Sequence, residues 1–498
     1  MNGLPKSIFF TTALALLLLK AVNSLSAEPN LLKQPSQSPL INFRIVIHSG
    51  AAADPEDKTG LAALTSALIS KGGTEKSSYD EIIEALFPMA ASVDIQIDKE
   101  MTVFHGTTHR ENLDAYYDIL RSMLLEPGLR EDDFQRLKDE AINFLRTTLR
   151  SDNEEELAKE LLYQKIYVGH PYGNHNVGSV SALKRITLED ITKFYEKHYT
   201  NENITIGIAG GYPKNFPEKI KEDFSRLPEG RPEAVILTRP KTASKLRISI
   251  VKKDTRGTHI VLGFPINVTR GSPDWSALKL VQSYFGQHRS SKSHLFQRIR
   301  GVRGMNYGDY AYIEYFPRGM FRTQPEPNLA RRQQIFHIWV RPVEQRNGMF
   351  GLRIALYELD KLVREGLSEK DFTSTRQFLS KYVNLLTQTE STYLGYALDS
   401  QFYEIGEFNS FLKNELSRLT VGKVNDVIRR HLRANNLNVV VITKDAKGFL
   451  RSLRSGKPSS IEYVSPKPQS ILAEDKVIGS YPLDLGSIEI IPVNSIFE

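Results

Sequence analysis

The sequence predicts an α+β fold of two homologous domains, each a mostly antiparallel sheet with helices packed on one face. Three observations carry this. The chain repeats itself: GLREDDF at Gly128–Phe134 returns as GLSEKDF at Gly366–Phe372, and ITLEDITKFYEKHYTNENITIGI from Ile186 aligns without a gap to LTVGKVNDVIRRHLRANNLNVVV from Leu419. The two offsets, 238 and 233 residues, differ by a small indel, as a duplicated unit would. Alternating apolar residues in VDIQID, then MTVFH, give two half-buried strands around a turn at Asp98–Glu100, which is an antiparallel hairpin signal. Helical spacings over Asn112–Leu125 and Phe134–Leu149 follow one another instead of alternating with strands, which places helices on one side of a sheet.

Taken in order, residues 1–27 read as a secretory signal peptide: Lys6, a mostly apolar run over Ser7–Leu19, then small and polar residues to Ala27. That run is too short to span a bilayer, and no later segment reaches the roughly 20 apolar residues a membrane helix needs, so no integral membrane span is expected. The first domain, 28–235, opens on the strand FRIVIHSG and closes on a unit in which Thr187 caps a helix ahead of the strand Ile204–Ile208. Prolines, Gly230 and charges across Arg226–Lys245 break the periodicity and mark the linker. The second domain, 236–498, opens on KLRISIVKKD and repeats the capped helix at Thr420 with the strand Val439–Ile442; the tail, in SIEIIPV, reads as an added edge strand.

Composition narrows the function. A chain of 498 residues without cysteine excludes disulfides, thiol chemistry and cysteine-held zinc. The net charge of +7, or +5 without Lys6 and Lys20, comes from interspersed charges of both signs, with no basic and aromatic stretch to follow a phosphate backbone. No nucleic-acid partner is expected.

The order of these pieces resembles the pitrilysin or insulinase family of inverted-motif zinc peptidases. GAAADPEDKTGLAAL is similar to its opening turn and first helix, GHPYGNHNVGSVSALKRITLEDITKFYEKHY to its Pro-Tyr-Gly loop and next helix, and SKSHLFQRIRGVRGMNYGDY to its segment with a substrate-contacting arginine and tyrosine. Active members place His-x-x-Glu-His on that first helix, where two imidazoles one turn apart share a metal and the glutamate takes a proton from water. Here Ala63 and Ala67 stand at the histidine positions and Ser66 at the glutamate, while the family's third ligand aligns near Asn143, one turn from Glu140. The resemblance therefore implies a chain with no metal or cofactor of its own and no hydrolysis by itself.

Arg300 and Tyr307 have the seven-residue spacing of the family's substrate-binding and oxyanion pair. Their presence implies a non-catalytic subunit of a heterodimeric peptidase, with zinc carried by an insulinase-family partner that keeps His-x-x-Glu-His, and a peptide as substrate. The alternative is a peptidase homologue that acts as a peptide-binding or scaffold protein. The signal makes an exported product the expectation, with a bacterial periplasm favoured over the extracellular medium. Of the remaining histidines, His105 and His109 flank Gly106 in a strand-to-loop segment and are expected to diverge, His170 and His175 flank a loop, and the repeated His198 and His431 imply a shared structural role.

Overall fold

The apolar residues of β2 (Leu40–Ile47) explain the architecture. Phe43, Ile45 and Ile47 point into a core made with the helices of their own half, whereas Arg44 and Val46, on the alternate face, meet residues more than 280 positions away. A strand buried on both faces needs a second cover. In the computed structural model, which describes residues 29–498, that cover is a helix borrowed from the other half. The signal segment lies outside the described residues.

The first sheet has the order β1-β5-β2-β4-β3, from β1 (Asn30–Pro35), β2, β3 (Asp94–Ile97), β4 (Thr102–His109) and β5 (Ile204–Gly210). β2 runs antiparallel to both β4 and β5, and β3 and β4 form the hairpin around Asp98–Glu100. Only β1 is parallel to its neighbour. The second sheet has the order β11-β6-β10-β7-β9-β8, from β6 (Leu246–Lys252), β7 (Gly257–Ile266), β8 (Asp309–Tyr312), β9 (Gln334–Glu344), β10 (Asn438–Thr443) and β11 (Leu485–Pro492). Its β10 and β11 both run parallel to β6, so the tail does add an edge strand.

Each half lends one helix. Glu154–Ile166 packs on β7 and β10, and its repeat mate Glu390–Phe402 packs on β5 and β2. Along β10 the faces divide accordingly: Val439 and Val441 belong to the second core, Val440 and Ile442 to the first. Polar side chains brace the exchange. Arg44 donates to the Ser391 carbonyl at 2.9 Å and to Asn328 Oδ1 at 3.0 Å, and the buried Arg331 donates to Asp98 at 2.7 Å while lying 3.8 Å from the Tyr315 ring.

The linker holds no regular element from 228 to 243 and is pinned to the body, where Arg332 and Gln333 donate to the carbonyls of Val235 and Thr238. Helix expected through Leu149 is α-helical only over Glu131–Asn143. Phe144–Leu149 then widens into a π-helix, whose extra residue per turn rotates the side chains that follow. Beyond β11, Ile496 and Phe497 return to the first core.

Candidate functional site

The helix that would hold a metal is Leu61–Lys71. It starts at Gly60, whose φ of 97° is left-handed and suits glycine, and its first amides are capped from outside: Asp54 accepts from Gly60 N at 2.6 Å and Ala62 N at 2.7 Å. Burial pushes the Asp54 carboxyl up to about 7, against the pull of those amides.

Ala63 and Ala67, one turn apart, line a cavity of about 220 Å³ with Ile95 and Ile97 of β3 and with Leu137, Glu140 and Phe144. The other two expected positions lie elsewhere. Ser66 is fully buried and spends its hydroxyl on the Ala63 carbonyl at 2.9 Å. Asn143 is exposed, accepts from Thr147 Oγ1 at 3.0 Å and does not line the cavity; the carboxylate that does is Glu140. Two methyl groups and one carboxylate do not fit a zinc ion, which needs three protein ligands. Among the described residues no three histidine or acidic side chains gather closely enough to hold a metal.

Arg300 and Tyr307 come together at the entry to β8. Arg300 Nη1 donates to the Tyr307 carbonyl at 2.8 Å, and its guanidinium lies 4.8 Å from the Phe296 ring and 5.7 Å from the Tyr307 ring. Tyr307 is 75% exposed. The turn beneath it is braced, because Asn306 Nδ2 donates to Asp309 Oδ1 at 2.7 Å and to the Arg341 carbonyl at 3.0 Å. Burial holds the Asp309 carboxyl well above its usual range.

The other histidines do not rebuild a metal site. His105 and His109 were expected to diverge, yet both belong to β4, where an even spacing gives them one face; at about 3.3 Å per residue they stand about 13 Å apart along the strand, too far to share an ion. His170 and His175 each accept from a backbone amide in their loop. His198 meets Ser49 Oγ at 2.9 Å and His431 meets Asp274 Oδ2 at 2.8 Å, so the repeated position keeps different partners. Sequence reasoning missed the cap at Asp54. The acidic residue ahead of the Gly60 helix start was its signal.

Similarity to known proteins agrees with this geometry. The family described as Insulinase (Peptidase family M16) matches residues 31–179, and the Peptidase M16 inactive domain matches residues 185–379, together more than half of the chain. An uncharacterized zinc protease of Mycobacterium tuberculosis is 24% identical over 52% of this chain, and the aligned part spans only 58% of that relative. The non-peptidase homolog YmxG of Helicobacter pylori is 19% identical over 82% of this chain and 90% of its own. Among solved structures, an M16 inactive domain from Pseudomonas fluorescens superposes with a TM-score of 0.70 at 20% identity, covering 83% of this chain and 94% of that one. The periplasmic protease PqqL of Escherichia coli gives 0.65 at 15% identity, covering 93% of this chain and 50% of that one. With both halves matched and alanines at the two histidine positions, this chain belongs to the M16, or insulinase, family as a homologue without the family's zinc motif.

Proposed function

We propose that this chain is the non-catalytic, substrate-binding subunit of a heterodimeric, exported zinc metallopeptidase, working in the periplasm with an M16 partner that carries His-x-x-Glu-His. The observation that carries the proposal is the braced, outward presentation of Tyr307 beside Arg300 in a chain whose own motif helix bears Ala63 and Ala67. An exposed tyrosine hydroxyl can donate to the oxyanion that forms on a scissile carbonyl, and an adjacent guanidinium can hold a neighbouring peptide carbonyl. PqqL supports the pairing, since this chain covers half of that protein. The test is to purify the chain with its M16 partner and assay peptide cleavage. Tyr307→Phe, on an exposed ring, should lower kcat/KM by about 100-fold; unchanged turnover would remove the assigned role.

A second reading, a peptide-binding or scaffold protein, is favoured by the cavity at Ala63 and Ala67. It opens beside β3, the edge of its sheet, where an extended peptide could add as a strand and drop an apolar side chain into the cavity. This reading expects the lone chain to bind a fluorescent unfolded peptide.

A further inference from the structure

The segment that carries Arg300 and Tyr307 has little rigidity of its own. Phe296–Gly301 is a π-helix, and beyond it Gly304, at a left-handed φ of 67°, has open space where a side chain would stand. A widened turn followed by such a glycine gains few packing contacts along its length. The fixed presentation of Tyr307 therefore depends on what grips the segment from behind.

The arginines on either side of Arg300 make that grip. Arg298 Nε donates to Glu358 Oε1 at 2.6 Å, and its Nη2 donates to Glu474. Arg303, whose side chain is fully buried, donates through Nε to Asp475 Oδ1 at 2.8 Å and through Nη2 to Glu474 Oε2 at 2.7 Å. Its Nη1 turns back to the Arg298 carbonyl at 2.8 Å. One carboxylate, Glu474, thus ties the chain before Arg300 to the chain after it. Arg300 itself pairs with no carboxylate among the described residues and donates to the Tyr307 carbonyl.

Glu474 and Asp475 belong to the helix Gln469–Gly479, which lies beyond the second copy of the repeat and packs on Gly348–Glu365, the helix that supplies Glu358. The stretch ahead of it adds two bonds. Lys467 Nζ donates to the Val302 carbonyl at 2.9 Å, and Tyr463 Oη donates to Asp475 Oδ2 at 2.6 Å. We propose that Glu474 is the positioning residue of the Arg300 and Tyr307 pair, acting on it through Arg298 and Arg303. This rests on the reading of that pair as substrate contacts, and it assigns their placement to a helix of the tail.

Glu474→Gln keeps the shape of the side chain and removes its charge, at a position 25% exposed, so the variant should fold. In the lone chain, hydrogen exchange should quicken at least about tenfold at the amides of Val302, Gly304 and Met305, which close this turn, and stay unchanged along β2. In the complex with its M16 partner, kcat/KM for peptide cleavage should fall by about tenfold. On a background of Arg300→Gln with Tyr307→Phe the same change should cost less than about twofold, because the contacts it positions are already gone. Unaltered turnover of Glu474→Gln, an equal loss on both backgrounds, or unchanged exchange at those amides would overturn the positioning role. Full turnover in the Arg300→Gln, Tyr307→Phe background itself would instead remove the substrate role of the pair, and the positioning role with it.

Discussion

Arg331 and Asp98 are 1% and 0% exposed, and they join the two halves through a fork of hydrogen bonds. Removing one partner strands the other as a buried charge. Arg331→Met should therefore cost about 3–5 kcal/mol in denaturant unfolding, and Asp98→Asn added to it should recover part of that loss. Asp54 makes a prediction of opposite character. Its carboxyl titrates near 7 in the folded chain against 3.8 as its ordinary value. The folded state thus holds a proton that the unfolded state releases, so this contribution to stability is full below about 4 and is lost as pH rises through about 7. Asp54→Asn should flatten the melting temperature across that window; an unaltered pH profile would show that the amides of Gly60 and Ala62 keep Asp54 ionised. The Arg331–Asp98 pair was not legible in sequence, because its members lie 233 positions apart, whereas the Asp54 cap spans only six to eight residues and left a local signal.

At the scale of elements, the hairpin β3/β4 and the capped helices at Thr187 and Thr420 could be read directly, since turn, cap and alternation are local signals. The Glu154–Ile166 helix could not. EEELAKELLYQKI reads as an acidic surface helix, yet Glu155, Glu156, Lys159 and Glu160 are all buried. Lys159 pairs with Glu156 at 2.7 Å inside the helix, and the second half supplies the rest: Arg341 reaches Glu155 at 3.2 Å, Tyr315 donates to Glu160 at 2.7 Å, and Lys159 also donates to the Phe316 carbonyl at 3.2 Å. The candidate site was half legible for a similar reason. One-turn spacing brings Ala63 and Ala67 together, whereas which residue the Glu131–Asn143 helix presents depends on its packing, and that residue is Glu140, not Asn143. This gives a constructive test. Ala63→His with Ala67→His places two imidazoles beside Glu140, so the double variant should take up zinc near one equivalent by elemental analysis, and adding Glu140→Gln should lower the affinity by at least about tenfold.

For the whole molecule, the exchange of helices makes each core a joint product. The first core contains Val440, Ile442 and Phe497, and the sheet face at Val46 is closed by Leu394 and Leu398. Calorimetry should accordingly show one cooperative transition, with calorimetric and van't Hoff enthalpies in agreement. Residues 28–235 and 236–498 expressed apart should be insoluble or molten alone and should regain structure when mixed; two independent melting transitions would contradict the shared cores. The same exchange sets a timetable for the nascent chain. Arg44 waits for Ser391 and Arg150 for Glu498, separations of 347 and 348 residues, so the first sheet is made early and finished late. Contacts this distant slow folding and leave an apolar sheet face open in the meantime. Such a chain is expected to aggregate more during refolding than a homologue of equal stability with self-contained halves, and a holding chaperone should raise its refolding yield more.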